Sequence, residues 1–522
     1  MPAHSRPLSE RYLAGELAPF FQLPPGDLDA AVSRRLDRPR QEVAAALRAE
    51  AERLRAPRQV EEALDRLAHP RSRVVVTGQQ PGLLVGPAYT LSKALSAIAL
   101  ARELDSDEAP VVPVFWNASQ DHDTGEVDHA YLLDGQEQLQ RLALDLPAAV
   151  PFGRIPFEAE WTLRICRGLK AVAGRPEHLE EALKLVTGAA TSAQSYADFC
   201  SALLYALLGE QGLVILDPTR PGVAPFFCGV LERELQSPLA STVAINEAGE
   251  RLRGVGLEPQ LGRGREATNL FIEEETDGLP RRELLRFDGK EFRTSHRSYE
   301  RNELAAIIRE QPGRVTPAAG LRPVTQDAVL PTAAFVVGPG ELAYLAQLRG
   351  VYELHDVEMP LVWPRASVVV LEPPVKRILG RYGLAYDEYA TAPEEVLRRV
   401  LLELTGHAES FEAALERLAA EIESLNRHVA AIDPTLEGTV ERSRMRLERT
   451  IELLREKTAG ALMRRDGTTR RQFSRLEAHL FPAGRPQERV LSPFSFFLKF
   501  GSGPMMELYR TVGASGEHEL AP

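Results

Sequence analysis

The pattern of apolar and polar positions predicts a parallel α/β core. The β-branched run over residues 74–77 is typical of a buried strand, and apolar residues recur at helical spacing over residues 91–100. A second apolar run, residues 111–116, predicts the next strand. Residues 196–235 repeat this alternation of helix and buried strand. Helices that alternate with short buried strands form βαβ units, which assemble into a parallel sheet.

A change in the pattern near Pro373 and Pro374 marks the start of a helical region. Apolar residues there alternate in steps of four and three, which predicts an a/d heptad seam. The seam residues are Phe411, Leu415, Leu418, Ile422, Leu425, Val429 and Ile432. A second helix is expected to pack back antiparallel on the first through Val440, Leu447, Ile451 and Leu454.

These patterns predict the α/β fold class, with a Rossmann-like parallel-sheet core, helical additions and a C-terminal antiparallel α-helical coiled-coil hairpin. Residues 1–70 are expected to be a helical segment packed on the core. Residues 71–375 are the predicted catalytic core with inserted segments, among them a β-hairpin around Asp288 and Gly289. Residues 376–522 are the predicted coiled-coil domain and tail.

Composition limits the function classes. The 522-residue chain has a formal net charge of −12, which argues against nucleic-acid binding because phosphate contacts need clustered Lys and Arg. Its three cysteines lie far apart, as expected for a reducing cytosol. The polar N-terminus and the lack of a long apolar run predict a cytoplasmic protein without a membrane segment.

A glycine-rich loop follows the first predicted strand and leads into a helix. Its glycines permit tight turns and close backbone approach, and its polar side chains add hydrogen bonds and one positive charge. The candidate residues are Gly78, Gln79, Gln80, Gly82, Gly86, Tyr89, Thr90 and Lys93. The spacing matches neither a Walker A loop nor GxGxxG. The loop is expected to bind a phosphate or carboxylate; the alternative is a tight connection without a ligand.

A dense acid–histidine cluster follows the second predicted strand. It consists of Asn117, Asp121, His122, Asp123, Glu126 and His129. One interpretation is a site for an amino acid or amino sugar, with His122 as general base and Asp121 and Asp123 beside it. Neighbouring carboxylates are then expected to raise the pKa of His122. The alternatives are a metal site and a solvated turn; our prediction is that no metal is required.

A third polar block supplies further candidate binding residues. They are Gln326, Asp327, Gly338, Glu341, Tyr344, Gln347 and Arg365. Glu341 is expected in the first turn of a helix that follows a strand. Arg365 has the bidentate geometry that suits a carboxylate or phosphate.

Two long motifs resemble those of the BshC family, the cysteine-adding enzymes of bacillithiol biosynthesis. They are the TGQQ-x-G-x-x-x-GP-x-YT-x-x-K segment, residues 77–93, and the DHD-x-x-E-x-x-H segment, residues 121–129. The resemblance covers nearly the whole chain. One departure is Ser92, where many members have His or Tyr.

The resemblance implies a ligase that joins L-cysteine to glucosaminyl-malate, the last step in making a low-molecular-weight thiol. An amide does not form from a free carboxylate in water, so activation by ATP with Mg²⁺ is expected, with no tightly bound cofactor. His122 would then deprotonate the amine, and Lys93 with the loop amides would bind phosphate. Two other classes stay open: a metal-dependent amide or sugar hydrolase, and a coiled-coil interaction protein with a vestigial nucleotide pocket. A homodimer through the coiled coil is also expected.

Overall fold

The computed structural model describes residues 7–174, 176–465 and 467–522. The chain forms two compact units. The first contains the residues up to 370 together with residues 486–520, and the second contains residues 371–485. None of the helices in the described part of the chain is both long and apolar enough to cross a bilayer.

The strands all belong to the first unit. They are β1 (Arg73–Gln79), β2 (Val111–Asn117), β3 (His129–Leu133), β4 (Leu139–Ala143), β5 (Val214–Leu216), β6 (Ala267–Thr276), β7 (Leu279–Phe287), β8 (Phe292–Arg293), β9 (Ser298–Tyr299), β10 (Val315–Pro317), β11 (Thr332–Val337), β12 (Leu361–Pro364), β13 (Ser367–Val370) and β14 (Glu517–Leu520).

The helices are divided between the two units. The first unit has α1 (Leu8–Leu13), α2 (Leu28–Ser33), α3 (Arg40–Arg53), α4 (Arg58–Leu67), α5 (Tyr89–Leu104), α6 (Ala159–Val172), α7 (Pro176–Ser192), α8 (Tyr196–Leu208), α9 (Cys228–Gln236), α10 (Ala240–Gly254), α11 (Arg301–Glu310), α12 (Arg322–Val329), α13 (Pro339–Leu345) and α14 (Arg349–His355). The second unit has α15 (Pro373–Arg381), α16 (Tyr386–Thr391), α17 (Pro393–Leu404), α18 (Ala408–Ile432), α19 (Glu437–Arg465) and α20 (Gly467–Leu480). The chain then returns to the first unit with α21 (Phe494–Phe500) and α22 (Ser502–Tyr509).

A parallel five-stranded sheet forms the core of the first unit, in the order β12–β11–β1–β2–β5. Strand β1 is central and almost wholly buried, which explains its run of Val residues, since strands covered on both faces need apolar side chains throughout. Helix α5 packs against β1 and β2, and the N-terminal helices α3 and α4 pack against β5 and β2. The predicted α/β fold class is confirmed.

A second, antiparallel sheet, in the order β10–β6–β7–β8–β9, is inserted into this unit. The predicted hairpin around Asp288 and Gly289 joins β7 to β8. The longer hairpin of β6 and β7, which turns at Asp277 and Gly278, was missed. Its strand β6 carries acids that look solvent-exposed in the sequence. Glu273 and Glu274 are nevertheless buried, because Arg154 pairs with the first and the Tyr299 hydroxyl donates to the second.

The tail, residues 486–520, packs in the first unit. Strand β14 pairs in parallel with β13, and Ser492 donates to the Leu84 carbonyl at 2.8 Å. The sequence analysis placed this tail with the C-terminal helices, because hydrogen bonds between residues about four hundred positions apart leave no local signal.

Helices α18 and α19 of the second unit pack against each other as a hairpin. Leu402 and the start of α18 meet Ala459 near the end of α19 in a small apolar cluster, so the two helices run antiparallel. The predicted seams are partly wrong on both helices. On α18, Leu425 and Ile432 are 56% and 84% exposed. Leu447 and Leu454 are 44% and 55% exposed, whereas Ile451 is half-buried.

The packing of this hairpin predicts that substitution by Asp has different effects on stability at two nearby seam positions. Ile422 is 8% exposed and Leu425 is 56% exposed. Ile422→Asp is therefore expected to lower the unfolding free energy of this unit by about 2–4 kcal/mol, since it buries an unpaired charge. Leu425→Asp is expected to cost about 0.5 kcal/mol or less within one chain. Urea unfolding followed by circular dichroism measures both; equal losses would contradict the packing of this seam.

Candidate active site

The candidate residues gather where the strands of the parallel sheet end. Loops leave the carboxyl ends of β1, β2, β11 and β12 on the same edge. Strands β2 and β5 lie on one side of β1, and the later strands β11 and β12 lie on the other side. Strand order thus reverses between β1 and β11, which is where open α/β sheets bind ligands.

The glycine loop after β1 is tight and strained. A Cβ on Gly82 would lie 2.7 Å from the Gly86 Cα, so the two backbone segments touch where only glycine fits. Leu84 and Val85 have φ values of 51° and 70°, which is unfavourable for a β-branched residue such as Val85. The tail stabilises this conformation, because the Leu491 carbonyl accepts from the Ala88 N–H at 2.8 Å. Such strain is typical of binding loops.

Lys93 lies buried beneath this loop. Its ammonium donates to the Gly78 carbonyl at 2.7 Å and to Gln79 Oε1 at 3.0 Å, and it pairs with Glu341 Oε2 at 2.5 Å. Burial lowers the pKa of Lys93, and Glu341 opposes that change. Glu341 also accepts from the Gly338 N–H at the start of α13, its predicted place. All three ammonium donors therefore have acceptors within the protein, and this geometry favours a positioning role for Lys93 over phosphate binding.

We expect Lys93→Met to lower stability. The substitution leaves Glu341 without its cation and the Gly78 carbonyl without its donor. The cost is on the order of 2–3 kcal/mol, below that of a fully buried pair because Glu341 keeps some solvent contact. The double variant Lys93→Met with Glu341→Gln should recover part of the loss. Thermal unfolding measures both; an unchanged melting temperature in Lys93→Met would contradict the ion pair.

Asp121 is the centre of the second polar cluster. Arg322 Nη2 and Gln80 Nε2 donate to its Oδ2 at 3.3 Å and 2.9 Å, and Arg282 Nη1 lies 3.8 Å from Oδ1. Burial alone would raise the pKa of Asp121, but the two guanidinium groups and these hydrogen bonds lower it. Asp121 is therefore a carboxylate at neutral pH. Burial lowers the pKa of Arg282 to about 9, with the neighbouring Arg322 as the next cause.

His122 lies beside Asp121, and its ring edge contacts Phe271 at 5.7 Å between centroids. Its Nδ1 lies 3.4 Å from Arg282 Nη1 and 3.9 Å from Asp121 Oδ1. Burial lowers the pKa of His122 and Arg282 lowers it further, while Asp121 and Asp123 only partly oppose them. The expectation of a raised pKa is wrong, because burial and the arginines, which come from segments far away in sequence, outweigh the two carboxylates.

Other residues of the acid–histidine stretch lie in separate contacts. His129 pairs with Asp128 at 2.7 Å, and Asp123 accepts from the Gly125 N–H in an exposed turn. Asn117 donates to Ala197 and Ser201 inside the core. Glu126 is exposed and raises the pKa of Tyr89, which is about 12 mainly through burial. Only part of this stretch therefore faces the Asp121–His122 cluster.

The residues of the third polar block also lie in separate contacts. Burial raises the pKa of Asp327 to about 6, and this carboxyl accepts from Gln326 and Tyr352 within the core. Gln347 accepts from the backbone of Gln260 and Leu261, so it holds a loop in place.

Two members of the block lie near the candidate site. Burial raises the pKa of Tyr344, and both Glu341 and Arg322 lie near enough to influence it. Tyr344 is therefore close to both Glu341 and Arg322. Arg365 makes a buried bidentate pair with Glu488, at 2.8 Å and 2.5 Å, and lies 5.7 Å from the centre of the Tyr89 ring. The Gln79 amide donates to the Tyr89 hydroxyl, whereas Thr90 Oγ1 is buried without a partner among the described residues.

Sequence reasoning missed the arginines of this site. Arg282 lies on the inserted β7, where it donates to Thr316 and to the Pro317 carbonyl and lies over Phe271 at 4.0 Å. Arg322 begins α12. No local signal singles out Arg282, because β7 also contains Arg281, Glu283 and Arg286, none of which is buried. Within residues 7–174, 176–465 and 467–522, no group of three or more His, Cys, Asp or Glu side chains is arranged to hold a metal ion.

The fold and site together define a class of protein: a Rossmann-like domain with a cluster of charged side chains at its sheet edge, followed by a coiled-coil unit. Comparison with known families makes the class specific. Residues 3–366 match the N-terminal Rossmann-like domain of bacillithiol biosynthesis BshC, and residues 368–519 match its C-terminal coiled-coil domain. The chain belongs to the BshC family.

Curated relatives support this membership. A protein of Thermus thermophilus is 42% identical over 480 residues, which cover 92% of this chain and 94% of that protein. A protein of Heliobacterium modesticaldum is 35% identical, covering 84% of this chain and 80% of its own length. A Geobacillus kaustophilus protein is 32% identical, covering 84% and 82%. Each is named "Putative cysteine ligase BshC".

Proposed function

We propose that this protein is a carbon–nitrogen ligase that adds L-cysteine to glucosaminyl-malate in bacillithiol biosynthesis. Membership of the BshC family supports the proposal, as do the names of the relatives. The observation that carries it is that Asp121 and His122 lie side by side at the carboxyl ends of the strands, and that the pKa of each is lowered. Asp121 is therefore charged, and the neutral form of His122 is favoured. An amine that acts as a nucleophile needs one group to accept its proton, and a charged group beside that acceptor supports the transfer.

The carboxylate of cysteine needs activation before an amine attacks it. We propose ATP with Mg²⁺ as the cosubstrate and an adenylate as the intermediate. The carboxylate oxygen then attacks the α-phosphorus and pyrophosphate leaves. The sugar amine attacks the acyl carbon, AMP leaves, and one proton is lost from the nitrogen. The strained glycine loop at the reversal of strand order supports a nucleotide site there.

His122 is the proposed acceptor of that proton. Its Nδ1 faces Arg282 and Asp121, so Nε2 is the ring nitrogen that is proposed to meet the amine. For Nε2 to accept a proton, Nδ1 must carry one. Arg282 Nη1 can only donate, so Nδ1 must turn from Arg282 to Asp121 Oδ1, which lies 3.9 Å away. We expect this contact to shorten when substrate binds, since catalytic hydrogen bonds are often long in unliganded enzymes.

Mass spectrometry of one reaction tests the proposed function. The purified full-length chain is incubated with L-cysteine, glucosaminyl-malate, ATP and Mg²⁺, and each substrate is omitted in turn. The expected products are the cysteinyl amide and AMP. If the product is ADP and not AMP, the intermediate is an acyl phosphate and not an adenylate. Loss of glucosaminyl-malate without any amide would favour the hydrolase, and no turnover at all would favour the interaction protein.

The coiled coil is proposed to support a homodimer. Leu447 and Leu454 on α19, with Leu425 on α18, leave apolar side chains exposed on the hairpin. Leu447 and Leu454 are seven residues apart, so they lie on one face of α19, and an exposed apolar face is typical of an association surface. Light scattering after size exclusion is expected to give twice the chain mass, and Leu447→Asp is expected to give monomers; a monomeric parent chain would refute the dimer.

A further inference from the structure

Positive charge exceeds negative charge around Asp121. Arg263, Arg282 and Arg322 lie near enough for Arg322 to lower the pKa of both others, after burial as the main cause. Glu273, the other nearby acid, pairs with Arg154 at 3.1 Å. Asp121 is then the only carboxylate assigned to these three guanidinium groups among the described residues. A partly buried excess of two positive charges is unfavourable unless an anion binds there.

Several buried polar atoms of the same region have no hydrogen-bond partner among the described residues. The donors are Nε of Arg263 and Nε of Arg322, and the acceptors are Oδ1 of Asn269 and Oε1 of Gln80. A Cβ on Gly320 would lie 2.9 Å from Asn269 Oδ1 and 3.7 Å from Arg263 Nη2, so the Gly320 backbone, Asn269 and Arg263 lie close together. Gln80 is oriented by its bond to Asp121, which leaves its carbonyl oxygen as the unpaired atom. Buried polar atoms usually have partners, so these mark a place for a ligand.

We infer that Arg263, Arg282 and Arg322 form the subsite for a dicarboxylate, the malyl end of the acceptor substrate. This inference rests on the proposed function and names the part of the substrate that these arginines bind. Two uncompensated guanidinium charges match two carboxylates, and the planar guanidinium group binds a carboxylate with two parallel hydrogen bonds. Asp121 and the rigid contacts of Arg282 to Thr316 and Pro317 hold this group of cations in place.

A phosphate group shares the same anionic chemistry, and the unpaired acceptors favour the dicarboxylate. A fully ionised phosphate group accepts hydrogen bonds from arginine but offers no donor to Asn269 Oδ1 or Gln80 Oε1. A malyl glycoside carries sugar hydroxyls next to its carboxylates, so it supplies acceptors for the guanidinium groups and donors for the two amide oxygens. Arg365 is not part of this subsite, because Glu488 neutralises its charge.

Calorimetric titration of the full-length chain tests the subsite without any catalysis. The probes are glucosaminyl-malate, its dimethyl ester, inorganic phosphate and ATP with Mg²⁺. We expect glucosaminyl-malate to bind more tightly than its ester. Arg322→Gln and Arg263→Gln should each weaken glucosaminyl-malate binding about 10- to 100-fold while leaving ester binding nearly unchanged. Arg253→Gln is the matched control, since Arg253 is an exposed arginine on α10 that pairs only with Glu250 among the described residues.

Three outcomes would overturn the inference. They are equal binding of the ester and the diacid, unchanged binding in both arginine variants, and loss of phosphate or ATP binding alone. Product formation separates this inference from the proposed function. If the arginines bind glucosaminyl-malate but no amide forms, the subsite stands and the ligase proposal falls. If amide forms while the arginine variants raise only the KM for ATP, the ligase stands and the subsite falls.

Discussion

His122→Ala is expected to lower turnover in the cysteine-adding reaction by roughly 10²- to 10⁴-fold, the usual contribution of a general base. The side chain is partly exposed at the sheet edge and makes one long polar contact with Arg282, so the fold should persist. Its removal takes away the proton acceptor and leaves the Asp121 carboxylate with both arginines. Steady-state kinetics with glucosaminyl-malate as the varied substrate measures the loss as a fall in kcat.

His296→Ala is the matched control for this substitution. His296 lies in an exposed turn beside Glu283 on the inserted sheet, and its removal should leave kcat within about twofold of the parent chain. A His122→Ala chain with full activity would remove the general-base role. A fall in kcat together with loss of the melting transition would show a structural role instead.

The pH profile gives an independent measure of the same residue. Because burial and Arg282 lower the pKa of His122, kcat/KM should fall on the acid side only below the ordinary histidine value of about 6.5. Arg322→Gln removes one neighbouring positive charge, which favours the imidazolium and raises the pKa of His122. The acid limb should then move to higher pH. NMR titration of the His122 ring checks the direction, and a limb that moves to lower pH would contradict the arrangement.

The second large effect is expected from Glu488→Ala, which should lower the unfolding free energy by about 3–5 kcal/mol, the usual cost of breaking a buried ion pair. Glu488 accepts two hydrogen bonds from Arg365 and one from the Val368 N–H. Its removal leaves a buried guanidinium group without its partner and frees the tail from β13. The loss should appear as a lower midpoint in chemical unfolding.

Two further variants make this result specific. The double variant Arg365→Met with Glu488→Leu should regain much of the stability, since apolar pairs often replace buried ion pairs at little cost. Glu507→Ala, at an exposed position of the same tail, should change stability by about 0.5 kcal/mol or less. If Glu488→Ala matches Glu507→Ala, then Arg365 is free to bind substrate and its predicted role as a carboxylate ligand returns.

The strands and helices near the glycine loop could be predicted because their signals are local. Buried β-branched residues and helical spacing reflect backbone conformation and burial, which neighbours in sequence determine. The gathering of residues 78–93 with residues 117–122 also followed from sequence, because carboxyl ends of adjacent parallel strands share an edge.

The composition of the site could not be predicted in the same way. Lys93 looked like a phosphate ligand until Glu341 was found beside it, and Arg365 looked free until the tail brought Glu488 to it. A charged side chain has the same appearance in sequence whether it faces a ligand or a partner within the protein, since its partner comes from a distant segment.

Sequence by itself determined the family motifs, the parallel direction of the core strands and the helical hairpin, all of which rest on local spacing. Only the tertiary structure decided which charges are neutralised. It buried much of His122 and brought Arg282 from the inserted sheet and Arg322 from α12 to Asp121. Burial, together with these arginines, reversed the expected pKa change of His122. The physical reason is that burial and Coulomb interaction depend on distances in space, and these long-range contacts form only when the whole first unit folds.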